Sequence, residues 1–183
     1  MQVRLREEYQ TKYKKNLMEQ FKYTTVMQVP KLEKIVLNVG VGEGNSNPNY
    51  LNSVVDELTA ITGQKAVKTV ARKSIANFKI REGYEVGCRV TLRGDMMFEF
   101  LERMINVALP RVRDFKGLPE KSFDTNGNYN FSIMEQIIFP EINFDKTEKI
   151  HGINVTIVTS AKSKEEAFAL LKEFKMPFKE QGN

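Results

Sequence analysis

Nine consecutive residues, Glu85 to Arg93, constrain the fold more than any other stretch, because side-chain character switches at every step. Val86, Cys88, Val90 and Leu92 are apolar, whereas Glu85, Gly87, Arg89, Thr91 and Arg93 are polar, charged or small. A period of two is the repeat of an extended strand whose faces meet different surroundings, so the chain must build a sheet with one buried and one open side. A solvated face enriched in arginine by chance is the plain reading of the open side. The surrounding charge argues against chance. From Lys65 to Gly94 eight basic residues stand against Glu82 and Glu85, a net of +6 in a chain whose total is +5, so the remainder sums to −1. Positive charge gathered in one segment is the footprint of a polyanion partner.

With 183 residues, 41% of them hydrophobic and 28% charged, the chain can bury one good core, and one domain spanning 1–183 is expected. The sequence pI near 9.2 fits partial contact with nucleic acid. Cys88 is the only cysteine and His151 the only histidine, which excludes a disulfide framework and a Cys/His metal cage. No metal and no cofactor are expected. Cys88 falls on the apolar side of its strand and reads as an inert buried thiol. No apolar run approaches membrane-spanning length, and the N-terminal MQVRLREEYQ lacks a signal-like core. The expected location is the cytoplasm, with no membrane partner.

In chain order, Leu5, Tyr9, Tyr13, Leu17 and Phe21 recur every four residues and predict an amphipathic helix over about 2–23. A basic amphipathic helix can lie on a membrane, but Glu7, Glu8 and Glu19 interrupt the basic face. Val29 to Val41 alternates as a strand, with Ile35, Leu37, Val39 and Val41 inward. Gly40, Gly42 and Gly44 miss the dinucleotide fingerprint, since Asn45 and Asn47 stand where a further glycine is required, and no Lys-Ser/Thr pair follows these glycines to make a phosphate loop. Asn47-Pro48 opens a helix that ends at Gly63, with Leu51, Val54, Val55, Leu58 and Ile61 as its buried stripe. Residues 72–83, RKSIANFKIREG, show neither period and read as a long basic loop, about 71–84 in all. Asp95 is expected to cap a third helix stopped by Pro110, after which PRVRDFKG forms a second basic segment. Asn126-Gly127 marks a turn into a strand over 129–133, Gln136 to Phe139 continues extended, and Ile153 to Ser160 is a last strand. Ser163 and Glu166 make a capping box for a final helix carrying Ala167, Leu170, Leu171 and Phe174.

These elements predict an α+β fold with an antiparallel or mixed sheet and helices on one face. The open face is expected to display Lys34, Asn38, Lys68, Arg89, Thr91 and Arg93, cations for phosphates beside amide and hydroxyl groups for ribose hydroxyls and base edges.

The motifs MQVPKLEKIVLNVGVG, ITGQKAV, ARKSIANFKIREG, GCRVTLRG, LPRVRDFKGL, KSFD, EQIIFPEI and MPF, in this order and spacing, resemble the bacterial large ribosomal subunit protein five family, which binds 5S ribosomal RNA. The resemblance covers almost the whole chain. It implies a concave sheet face that grips 5S rRNA and helps fix it in the central protuberance of the large subunit. Lys34, Asn38, Gln64, Phe78 and Thr91 match the family's RNA-contact positions, and Lys68, Arg89 and Arg93 join them on the sheet face. Arg72, Lys73, Ser74, Lys79 and Arg81 lie in the loop that the resemblance brings to peptidyl-site tRNA. Arg111, Arg113 and Phe115 lie in a region associated with an intersubunit bridge to a small-subunit head protein. Large-subunit rRNA and neighbouring 5S rRNA-binding proteins are the further implied partners. The chain departs from the family at Thr125 to Gly127 and at His151, where the family usually carries positive charge.

The rival classes are an RNA-processing nuclease and a protein-interaction module built on PRVRDFKG. The first needs convergent carboxylates, and the acidic residues here show no convergent set in the sequence. No catalytic residue and no enzymatic activity are expected. The second is compatible with RNA binding.

Overall fold

The computed structural model describes residues 3–42, 47–144 and 147–179. The expected helix start at Gln2 and the loop glycine Gly44 with Asn45 lie outside them. Five strands, β1 (Leu32–Gly40), β2 (Val67–Val70), β3 (Glu85–Leu92), β4 (Tyr129–Ile133) and β5 (Ile153–Thr159), form one antiparallel sheet in the order β2-β3-β1-β5-β4. The fold is α+β, as expected. Its helices are α1 (Arg4–Glu8), a π-helical turn (Tyr9–Tyr13) and α2 (Lys14–Phe21), then α3 (Pro48–Thr62), α4 (Gly94–Arg103) and α5 (Lys164–Glu173). Contacts divide the chain into two compact units.

The first unit comprises residues 1–35, 93–131 and 156–183. Its core is aromatic. Tyr9 stacks on Phe174 at 5.7 Å, and Tyr13 meets the same ring edge-on at 5.6 Å. These buried phenols keep polar partners: Tyr9 donates to the Pro30 carbonyl (2.9 Å) and Tyr13 to Glu8 Oε2 (2.6 Å). Burial, and then the Glu8 acceptor, push the Tyr13 hydroxyl up to about 12. A second cluster joins Phe123 to Tyr129 (4.6 Å) and Phe168 to Phe178 (4.8 Å). The turn before β4 is tied by the Asp124 carboxylate, which accepts the backbone N–H groups of Asn126 (2.9 Å) and Asn128 (2.7 Å), while Gly127 takes φ +75°. Ser163 caps α5 by accepting the Glu166 N–H, and Glu166 reaches back to the N–H of Lys162. One expectation needs correction. Asp95 does not cap α4: the helix begins at Gly94, and the Asp95 carboxylate instead pairs with Arg6. The helix runs on through a π-helical turn (Met104–Ala108) and ends in a 3-10 turn (Leu109–Arg111) that holds Pro110, with Val112 extended, so the stop expected at Pro110 falls within one residue.

The second unit comprises residues 36–92 and 132–155. Asn47 caps α3 by accepting the Tyr50 N–H (3.2 Å), Pro48 fills the first position, and Gly63 ends the helix at φ +71°. Leu51, Val54, Leu58 and Ile61 are buried as α3 packs on β3. Gln136 to Ile138 is a 3-10 turn and not the extended segment expected. The cause is Gln136 itself. Its side chain is fully buried, donates to the Lys149 carbonyl (2.9 Å) and accepts the His151 N–H (2.8 Å), so it substitutes for a strand partner.

Candidate RNA-binding surface

From Gly87 to Leu92 alternation places the side chains of β3 as the sequence predicted, whereas a bulge takes Glu85 off the Arg89 face expected for it. Cys88, Val90 and Leu92 are buried, Arg89 is exposed and Thr91 half-buried. Cys88 is inert: burial pushes its thiol up to about 11. Gly87 is buried on the same row as Arg89, because a Cβ there would lie 2.3 Å from the Val39 carbonyl oxygen. On β1, Asn38 is half-buried between Leu37 and Val39, which are fully buried. Asn38, Arg89 and Thr91 therefore occupy the open face of two neighbouring strands.

Lys68 departs from this row. In the β2–β3 ladder Val67 lies opposite Arg89, Lys68 opposite Cys88 and Thr69 opposite Gly87, before a bulge brings Val70 opposite Glu85. Cross-strand partners share a face, so Val67 and Thr69 stand beside Arg89 while Lys68 is on the other side. Its ammonium pairs with Glu85 Oε2 at 2.8 Å. A one-residue choice of register decides which face a side chain takes, and four residues of edge strand do not announce it.

The basic loop expected over 71–84 is closed on itself by backbone bonds. Ala71 donates to the Tyr84 carbonyl (2.8 Å) and accepts the Gly83 N–H (2.9 Å), and Ile75 and Ile80 exchange backbone bonds. Ser74 Oγ accepts the Glu82 N–H (2.9 Å). A 3-10 turn (Ala76–Phe78) and Lys79 at φ +53° close the tip, where Phe78 is 72% exposed. Arg72, Lys73, Ser74, Lys79 and Arg81 are all exposed along it. A cleft of about 160 Å³ lined by Gly42, Phe78, Lys79, Tyr84 and Val86 opens at this hairpin. Gln64 is exposed just past Gly63, its backbone N–H held by Thr62 Oγ1.

Other predicted residues belong to the first unit. Lys34 is half-buried on β1 and Arg93 is exposed immediately before α4. Arg111 and Arg113 are exposed and Phe115 is half-buried. That segment turns at Asp114 (φ +53°) and Gly117 (φ +92°), then Leu118 pairs with Phe178 in a parallel bridge.

The two departures from the family pattern are also located. Thr125 to Gly127 forms the turn organised by Asp124. His151 points inward, its Nε2 lying 3.7 Å from Glu57 Oε2 with both side chains largely buried. Burial lowers the His151 pKa and raises that of Glu57. On the open side of β4 and β5, whose alternation the sequence shows, Ser132 donates to Asn154 Oδ1 (2.7 Å).

Family models for ribosomal protein L5 and for the ribosomal L5P family C-terminus match residues 25–81 and 85–178. The chain belongs to the ribosomal protein L5 family. Relatives named large ribosomal subunit protein uL5 are 59% identical in Geotalea uraniireducens and 58% in Neisseria meningitidis, each over 97% of this chain and 99% of the relative. The Moorella thermoacetica protein of that name is 55% identical over the same shares. In this L5-family chain the matched regions contain the β3 row and the whole hairpin except residues 82–84.

Proposed function

We propose that this chain is a non-catalytic structural constituent of the large ribosomal subunit, in the cytoplasm, and that it binds 5S rRNA through the open face of β1 and β3. Its relatives carry the name of a large-subunit protein, which is a structural and not an enzymatic role. The observation that carries the RNA reading is the Arg89–Thr91 row, beside Asn38 and within the one segment that holds the chain's excess positive charge. Arg89 supplies a phosphate contact, while Asn38, Thr91 and Gln64 supply neutral hydrogen bonds suited to ribose and base edges. Phe78, exposed at the hairpin tip, offers a stacking surface flanked by Lys79. Lys34 and Arg93 are read as further RNA contacts of the first unit, and Lys68 as a strut for Glu85. The hairpin cations Arg72, Lys73, Lys79 and Arg81, with Ser74, are assigned to peptidyl-site tRNA, and Arg111, Arg113 and Phe115 to the small-subunit head. Attachment in the central protuberance, with large-subunit rRNA and other 5S-binding proteins as neighbours, completes this reading.

Purified protein should bind 5S rRNA far more tightly than duplex DNA at physiological salt, and it should sediment with large subunits and leave them together with 5S rRNA. Equal affinity for both nucleic acids would reduce the surface to bare electrostatics. A ribonuclease activity abolished by one carboxylate substitution would replace the structural reading with an enzymatic one.

A further inference from the structure

The open face of the second unit continues past Asn38. In the sheet order β3-β1-β5-β4, Asn154 lies on the strand next to β1 and Ser132 on the strand beyond it. Both are exposed, and the residues flanking Asn154, Ile153 and Val155, are buried as Leu37 and Val39 are on β1. Asn154 therefore shares the open face with Asn38. At a strand spacing of about 4.8 Å, the distance across three strand gaps from Arg89 on β3 to Ser132 on β4 is on the order of 14 Å.

The pair's own hydrogen bond gives it direction. Ser132 Oγ donates to Asn154 Oδ1 at 2.7 Å, which occupies the amide oxygen and leaves both amide N–H groups and the serine lone pairs unspent by that bond. Two exposed side chains held together in water gain little stability, since water competes for the same bond and both lose rotamer freedom. A fixed orientation does lower the cost of binding a ligand. The ligand is specified by the pair's chemistry. It carries no charge, so phosphate alone is a poor match, and it offers donor and acceptor side by side, the complement of a hydroxyl that both donates and accepts. The ribose 2′-hydroxyl is such a group.

We propose that Ser132 and Asn154 form a neutral extension of the RNA surface that contacts ribose 2′-hydroxyls and discriminates RNA from DNA, while Arg89 anchors the phosphates. This rests on the RNA-binding reading of the β1–β3 face. The test uses the full chain with 5S rRNA and, separately, with single-stranded DNA of the same sequence, measuring affinity against salt concentration and the thermal midpoint. Asn154→Ala and Ser132→Ala should each weaken RNA binding about fivefold, the loss of one neutral hydrogen bond, with unchanged salt slope and unchanged DNA affinity. Ser132→Thr, which keeps the hydroxyl, should retain RNA affinity. Arg89→Ala should weaken both ligands and flatten the salt dependence. If Arg89→Ala behaves so while the alanine variants lower only the thermal midpoint, the pair is a strand fastener and the proposal falls alone. If none of the variants alters RNA binding, the surface reading falls and takes the proposal with it.

Discussion

Gly87→Ala isolates the close approach of β3 to β1 in a single methyl group. An added Cβ would stand 2.3 Å from the Val39 carbonyl oxygen, with the Gly40 Cα and Thr69 Oγ1 each at 3.3 Å. Ordinary contact begins near 3.4 Å, so the nearest pair overlaps by roughly 1 Å. The obstruction is backbone, and no rotamer change relieves it; the strands must part where they hydrogen-bond. Overpacking of this kind costs about 1–3 kcal/mol. For a chain of this size each kcal/mol lowers the thermal midpoint by about 2–4 °C, so a fall of roughly 2–12 °C is expected. Gly40→Ala is the matched control, because a Cβ there meets nothing within 4 Å and the backbone is not left-handed. Gly87→Ala should also weaken RNA binding beyond what stability explains, since Arg89 sits two residues away on the displaced strand. Thermal unfolding by circular dichroism and equilibrium urea unfolding of both variants provide the measurements. A Gly87→Ala protein as stable as wild type, or a Gly40→Ala protein equally destabilised, would refute the argument that the glycine is required by strand spacing.

Three further outcomes are expected. Arg89→Ala should reduce the slope of log affinity against log salt by about 0.7–0.9, and Thr91→Ala should leave it unchanged while costing on the order of 1 kcal/mol; identical slopes for Arg89→Ala and wild type would show that Arg89 meets no phosphate. Val90→Asp should fail to fold, because Val90 is 2% exposed and a carboxylate there has no partner; circular dichroism and solubility decide it. His151, whose pKa is lowered by burial, contributes stability that is present above pH 6.5 and lost as pH falls through its folded value, whereas the raised pKa of Glu57 acts in the opposite sense. His151→Asn should therefore lose less stability than wild type between pH 6.5 and 5.5 in parallel urea titrations, and a larger loss would mean that protonated His151 is held by Glu57.

Much of this protein is local and was legible in its residues. The β3 alternation places Arg89 and Thr91 outward because side chains in an extended chain point to opposite sides whatever the partner strand. The limits of α3 follow from Asn47, Pro48 and Gly63, and the turn before β4 from Asp124 and Gly127, for the same reason: the stabilising bonds join residues at most four apart. Family membership was equally legible, since motif order survives without knowledge of the fold.

What depended on distant partners was not legible. Lys68 left the Arg89 row because register between β2 and β3 is set by pairing across an intervening hairpin. Gln136 became a buried clasp only because Lys149 and His151 return to it, and Asp95 turned from a helix cap into a partner of Arg6 across 89 residues. The significance of Ser132 and Asn154 emerged only when β4 paired with β5 and brought their side chains within 2.7 Å. Period and capping are properties of a short segment, but register, burial of polar groups and the pairing of charges depend on which segments meet, and those energies arise only once the chain has closed on itself.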